Sequence, residues 1–192
     1  NAEIYNRFKD AFGEVASLKN IYSFDVLDGV ANWKELLGKN AQPDEAVISR
    51  LKSETLATII YTSGTTGLPK AVIFKHSRWT LAYGTYGHIL NLGPDDVMYV
   101  TLPLYHATGV VVCWCGVIAG SATLAIRRKY STSAFWKDVQ KFNASAIGYV
   151  GELCRYLMDA PTTELDRAHR VTKMIGNGMR PNIWDKFKQR FG

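Results

Sequence analysis

The stretch Tyr61-Thr62-Ser63-Gly64-Thr65-Thr66-Gly67-Leu68-Pro69-Lys70 gathers four hydroxyls, two glycines and a lysine within ten residues. Gly64 and Gly67 let backbone N–H groups approach a bulky anion, the Thr and Ser hydroxyls donate hydrogen bonds, and Lys70 supplies a mobile positive charge. Such a set suits the oxygens of a polyphosphate. A polar hairpin connection would also use Gly, Ser and Thr, but it needs neither this many donors nor the lysine. The common nucleotide P-loop requires Gly-x-x-x-x-Gly-Lys-Ser/Thr running into a helix. Here the glycines stand three apart, Pro69 precedes the lysine, Ala71 follows it, and the next segment reads as a strand.

The elements that must hold this loop follow from periodicity. LATIIY before it and AVIFKH (71–76) after it read as strands, and Ser77 is the expected cap of a helix with Trp79, Ala82, Tyr83, Tyr86 and Leu90 on one face. Strand and helix then alternate. VMYVT precedes a helix near 109–119, and ATLAI precedes one carrying Phe135, Val139 and Phe142 on one side. SAIGYV precedes a helix at 151–158, and VTKMIG precedes a last helix opened by Pro181. This order predicts an α/β fold, a largely parallel sheet flanked by helices, with ligands collecting at the carboxyl ends of the strands. Residues 1–50 read as a helix with Ile4, Tyr5, Phe8 and Phe12 on one side, a strand over IYSFDVL (21–27), a short helix at 33–37 and a loop at Gln42-Pro43-Asp44.

Composition narrows the partners. The 192 residues are 47% hydrophobic and 21% charged, as in an ordinary globular chain. The net charge of +6 is uneven: residues 1–50 hold six basic and eight acidic side chains, residues 51–192 hold 17 and nine. No nucleic-acid-binding motif accompanies the excess, which leaves a polyphosphate ligand or an anionic membrane surface. Arg127-Arg128-Lys129 reads as a solvated turn, with lipid headgroups as the alternative. Residues 97–126 carry no Asp, Glu, Lys or Arg. Gly109, Gly116 and Gly120 interrupt that run, so it reads as helix, turn and buried strand rather than a membrane span. Cys113, Cys115 and Cys154 offer neither a disulfide framework nor a metal site, and the four histidines are scattered. A reducing, cytoplasmic compartment is expected, with peripheral membrane contact as the alternative.

YTSGTTGLPKAV (61–72) resembles the signature loop of the adenylate-forming superfamily: acyl-CoA synthetases, luciferases and nonribosomal adenylation domains. LPLYHATG (102–109), RRKYSTSAFWKDV (127–139), YVGELCRYLM (149–158) and GNGMRPNIW (176–184) are similar, in this order, to the fatty acid transport protein and very-long-chain acyl-CoA synthetase family. The resemblance covers about residues 55–192.

It implies a fatty acid, ATP and coenzyme A as partners, Mg2+ as the metal, and passage through acyl-AMP; a non-enzymatic lipid-uptake or membrane-associated module and the adenylation of another carboxylic acid are the alternative readings. Thr62, Ser63, Gly64, Thr65, Thr66, Gly67 and Lys70 would hold the phosphates, with Thr65 and Lys70 foremost and the Thr65 hydroxyl also beside the metal. Gly176, Asn177 and Gly178 would lie against adenine, although a plain strand-to-helix turn is the competing reading. Tyr105 and His106 would border the acyl and thiol sites, where an isolated His106 would read as a core histidine. Tyr149, Gly151 and Glu152 would line the acyl path, against packing for Tyr149 and a first-turn helix preference for Glu152. The family's Tyr-Gly-x-Thr-Glu motif and its lysine-bearing C-terminal domain do not occur in these residues. The expectation is therefore an incomplete large N-terminal, AMP-binding domain, with residues 1–50 as a lead-in and 51–192 carrying the phosphate loop and the acyl and adenine sites.

Overall fold

The computed structural model describes residues 1–37, 44–62 and 67–192. They divide into two units, Asn1–Leu51 and Lys52–Gly192. In the first, helix α1 (Ala2–Phe12) is capped by Asn1, whose side chain accepts from Ile4 N at 3.0 Å. Strands β1 (Tyr22–Ser23) and β2 (Ala31–Asn32) pair, and the short helices α2 (Lys34–Leu37) and α3 (Glu45–Ile48) follow. The strand expected over 21–27 shrinks to two residues. Ser23 Oγ accepts from Asp25 N at 3.1 Å, which bends the chain just where the strand would have continued. Asp44 caps α3, while Gln42 and Pro43 lie outside the described residues.

In the second unit, β3 (Leu56–Thr62) and β4 (Lys70–Lys75) form an antiparallel pair, followed by α4 (His76–Leu90). Next come β5 (Val97–Val100), a π-helical segment (Thr108–Trp114) continuing into α5 (Cys115–Ala119), β6 (Thr123–Ile126) and α6 (Thr132–Lys141). The unit ends with β7 (Ala146–Val150), α7 (Gly151–Asp159), β8 (Lys173–Asn177) and α8 (Pro181–Phe191). The last four strands make a parallel sheet in the order β6-β5-β7-β8. The chain steps from β5 to one side and then crosses to the other, so a switch point lies at the carboxyl ends of β5 and β7.

Side-chain alternation builds two cores on this sheet. Met98 and Val100 of β5 pack with Leu90, Leu92, Cys113 and Val117, whereas Tyr99 turns to the opposite face with Phe135, Val139, Ile147 and Leu157. Both faces of β5 are covered, which is why VMYV reads as an unbroken apolar run. The charge-free stretch 97–126 is the buried strand β5, the partly buried helical segment and β6, with Tyr105, Trp114, Ile118 and Ile126 exposed, and no helix among the described residues is long and apolar enough to cross a membrane.

Four local expectations change. Ser77 does not cap α4: the helix begins at His76, and its first N–H groups are taken by main-chain carbonyls, His76 N by Thr55 O (3.1 Å) and Ser77 N by Ser53 O (2.9 Å). Tyr83 is 47% exposed, so the apolar stripe of α4 is narrower than its periodicity suggests. Phe142 lies just past α6 and stacks on Tyr99, with ring centroids 6.4 Å apart. Arg127 is no free cation. It pairs with Asp138, whose Oδ2 also accepts from Tyr99 OH at 2.8 Å, and its Nε donates to Lys129 O at 2.9 Å.

The helical layer is tied down by Arg190. Its Nε donates to Asp166 at 2.7 Å, and its other N–H groups reach the carbonyls of Met158, Ala160 and Pro161. Arg190→Met strands a buried carboxylate and three carbonyls, so a loss of roughly 3–5 kcal/mol is expected, measured by urea unfolding. Acid should act in two steps. Burial lowers the His169 pKa below its ordinary 6.5, so the folded state takes up that proton less readily than the unfolded chain. This contribution is complete above pH 6.5 and is lost as pH falls below it. For Asp166, burial alone would raise the pKa, but hydrogen bonds from Arg190 and Thr163 outweigh it and hold the carboxyl below 3.8. That contribution is present above pH 3.8 and is lost as pH falls through the folded value. Urea midpoints followed from about pH 8 to about pH 3 should drop twice, and His169→Phe should remove only the first drop.

Candidate functional site

The two strands flanking the hydroxyl-rich loop form a hairpin stem in which Thr62 and Lys70 are direct register partners. Thr62 Oγ1 donates to Lys70 O at 3.4 Å, and both residues are exposed at the mouth of the stem. Gly67 has φ +94°, a left-handed conformation that glycine adopts without strain. Ser63, Gly64, Thr65 and Thr66 lie outside the described residues. The inner face of the stem is anchored by Ile60, which is buried with Ala82 of α4 and with Val111 and Cys115 of the π-helix and its continuation.

The parallel sheet presents its own cluster at the strand ends. Beyond β5 the chain passes through Tyr105 and His106, both exposed, into the π-helix at Thr108. His106 is thus not a core histidine. Its N–H donates to Pro103 O at 3.0 Å, and its Nδ1 accepts from Thr108 N at 3.3 Å. With Nδ1 acting as acceptor, the neutral ring carries its proton on Nε2. Thr108 is buried, and its Oγ1 accepts from Asn177 Nδ2 at 3.3 Å, which joins the end of β8 to the start of the π-helix.

Gly151, Gly176 and Gly178 close the cluster from the other side. A Cβ on Gly176 would collide with the Tyr149 carbonyl, and one on Gly151 would collide with the Gly178 carbonyl. Backbone therefore meets backbone where β7 enters α7 and where β8 turns toward α8, and a side chain at either point would pry the strand ends apart. Gly178 itself has φ +74°.

The remaining predicted residues fall elsewhere. Tyr149 is 8% exposed and packs in the helical-layer core with Leu153 and Phe187, and burial pushes its phenol pKa up. Glu152 is an exposed partner of Arg155 (Nη2 to Oε2, 2.7 Å) and lies 3.9 Å from Arg180; the Arg155 hydrogen bond holds its carboxyl below the usual range. Contacts link His106 to Thr108, Thr108 to Asn177, Gly151 to Gly178 and Gly176 to the Tyr149 main chain; Tyr105 stands exposed beside His106 in sequence, the Tyr149 ring lies in the core and Glu152 lies at the surface.

Two residues at the strand ends escaped sequence reasoning. Thr108 joins two loops far apart in the chain, and Thr101, directly after β5, has a buried hydroxyl with no partner among the described residues. An isolated threonine gives no periodic or compositional signal. Burial pushes the Cys113 and Cys154 thiols up to about 12 and raises that of Cys115, which disfavours the thiolate at all three. No three His, Cys, Asp or Glu side chains converge as metal ligands among the described residues.

Comparison with known proteins adds an independent line. The sequence profile described as AMP-binding enzyme matches residues 5–192. A medium/long-chain-fatty-acid–CoA ligase of Mycobacterium tuberculosis, FadD6, is 45% identical over 148 residues, 77% of this chain and 25% of that protein. Long-chain fatty acid transport protein 1 of Rattus norvegicus is 36% identical over 208 residues, 94% of this chain and 32% of that protein. The chain therefore spans about a fifth to a third of the length of the curated relatives it matches. In three dimensions, a red-emitting luciferase from Phrixothrix hirtus superposes with TM-score 0.77 over 97% of this chain and 38% of the luciferase, at 20% identity. That likeness concerns the fold alone, and it agrees with the helix-flanked parallel sheet. With a family profile covering nearly its whole length, the chain belongs to the AMP-binding enzyme family.

Proposed function

We propose that this chain is part of an AMP-forming fatty acyl-CoA ligase and that its hairpin loop holds the phosphates of ATP. The observation that carries the reading is the stem that sets Thr62 opposite Lys70 at the base of a loop rich in Gly, Ser and Thr. The names of the fatty acid relatives support the acid substrate.

In the reaction, a carboxylate oxygen of the fatty acid attacks the α-phosphorus of ATP and the bond to pyrophosphate breaks. The coenzyme A thiolate then adds to the acyl carbonyl, and AMP departs. Negative charge grows on the leaving phosphates in the first step. Thr62, Ser63, Gly64, Thr65, Thr66, Gly67 and Lys70 act there by positioning and by charge. Gly176, Asn177 and Gly178 offer a flat, side-chain-poor wall and one amide to adenine. Tyr105 and His106 border the reacting acyl group, where the Nε2–H of His106 is free to donate to an acyl or phosphate oxygen. Gly151 keeps the wall closed, and Tyr149 supports it from the core. Thr65 is the hydroxyl proposed to lie beside Mg2+.

The 192-residue chain by itself is proposed not to complete the reaction. A lipid-uptake module remains the second reading only as peripheral contact, since the charge-free run is packed in the sheet. Liposome flotation of the chain without ATP measures that contact, and failure to float at low salt removes it.

The ligase reading predicts palmitate-dependent ATP–pyrophosphate exchange by the full-length parent protein, and no exchange with any acid would sink it. Acyl-AMP or acyl-CoA made by the isolated chain would refute its proposed incompleteness. In the parent, Lys70→Ala should slow exchange by about 10-fold to 100-fold, as expected for loss of one charge-assisted contact. Thr108→Val frees Asn177 from its partner and should raise the KM for ATP by roughly threefold with little change in kcat. An unchanged KM would remove Asn177 from the adenine site.

A further inference from the structure

His106 is exposed, yet the hydrogen bonds that fix it converge on a buried neighbour, Gly109. The His106 N–H donates to Pro103 O at 3.0 Å, its carbonyl accepts from Val110 N–H at 3.1 Å, and its Nδ1 accepts from Thr108 N–H at 3.3 Å. Thr108 and Val110 flank Gly109 in the chain. Pro103 meets it across the turn: a Cβ on Gly109 would stand 2.7 Å from Pro103 O and 3.3 Å from Leu102 O. Each tether of His106 thus ends on a residue that adjoins Gly109 in the chain or in space.

Space, not conformation, calls for glycine at this position. Gly109 does not have a positive φ, and within a helical run glycine weakens the backbone relative to alanine. What it permits is contact with a main-chain carbonyl, which has no side-chain torsion by which to yield. Gly116, in α5, is the contrast: a Cβ there would first meet Leu90 Cδ1, the end of a flexible side chain. A methyl group at 109 must instead push on the Pro103 carbonyl, the acceptor that holds the His106 N–H, or displace the peptide that carries the Thr108 N–H. At 3.3 Å the bond from Thr108 to Nδ1 has little slack, because hydrogen bonds fade beyond this length. The imidazole has no other hydrogen-bond partner among the described residues.

We infer that Gly109 is a positioning residue for His106. Being buried, it acts through the imidazole: by lying flush against the Pro103 carbonyl it keeps Nδ1 on the Thr108 N–H and so keeps Nε2–H turned toward the reacting acyl group. What the ring is aimed at rests on the ligase reading; how it is held does not.

The test in the full-length parent protein is a double-mutant cycle read by palmitate-dependent ATP–pyrophosphate exchange. Gly109→Ala should lower kcat by about 10-fold to 100-fold, as expected for a misaimed group, and should change almost nothing further once His106 is already alanine. Equal slowing in both backgrounds, or none in either, would overturn the inference. A second measurement, on the 192-residue chain, does not depend on the reaction. With 15N-labelled histidines, the His106 ring signals are those missing from His106→Ala. They should shift in Gly109→Ala and keep their place in Gly116→Ala, which crowds the same helical run away from the turn. Ring signals that stay put in Gly109→Ala, or move as far in Gly116→Ala, also overturn it. Absence of exchange by the wild-type parent with any acid sinks the ligase reading and leaves the ring signals to decide. Should Gly109→Ala not fold, amide hydrogen exchange decides: in His106→Ala the Thr108 N–H loses its acceptor and should exchange roughly threefold faster or more, while the Val110 N–H, whose acceptor is main chain, keeps its rate. An unchanged Thr108 rate overturns the inference.

Discussion

The burial of one short, wide helical segment, Thr108–Trp114, governs the arrangement of the second unit. Thr108, Gly109, Val111 and Cys113 are buried, and each touches a different neighbour. Thr108 binds Asn177 at the end of β8, Val111 meets Ile60 of the hairpin, and Cys113 lies against Gly148 of β7, where even a methyl group would clash. Interiors are close-packed, so a shift of this segment must move the hairpin, the central sheet or the β8 turn. A π-helical stretch is uncommon and concentrates at functional sites. Here it is the common reference for loops separated by more than a hundred positions in the chain.

The opposite face of the sheet does different work. There the polar side chains are spent on holding α6, α7 and α8 in place: Asp138 joins Tyr99 to Arg127, and Asp166 joins Arg190 to Thr163. Burial and the Asp138 carboxylate both raise the Tyr99 pKa, so its phenol stays a donor to that carboxylate. Much of the basic excess of residues 51–192 is therefore structural, and net charge overstates what is free to meet a ligand. The Arg127-Arg128-Lys129 turn shows this directly, since its first residue is folded back on Asp138 and on the Lys129 carbonyl.

Where one residue type has one dominant use, the sequence was legible. Pro181 opens α8, LATIIY and AVIFK lie in β3 and β4, and the alternation from residue 97 onward forms the parallel sheet. Where several partners compete, it was not. Ser77 has the chemistry of a cap, but carbonyls of Ser53 and Thr55 arrive first. Glu152 has the charge for a site and is drawn to Arg155, one turn along its own helix. Tyr149 has the size of a tunnel wall, and strand parity turns it into the core.

The residues alone determined the order of elements, the donor-rich make-up of the loop at 61–70 and, through resemblance, the family, because each rests on local spacing and residue chemistry. Only the tertiary structure decided that Asn177 meets Thr108, that Gly151 abuts Gly178, and that the Trp136 indole N–H is buried with no acceptor among the described residues. Such contacts depend on which strand lies beside which and which face each side chain takes. The β6-β5-β7-β8 order fixes both through long-range packing that no window of sequence contains.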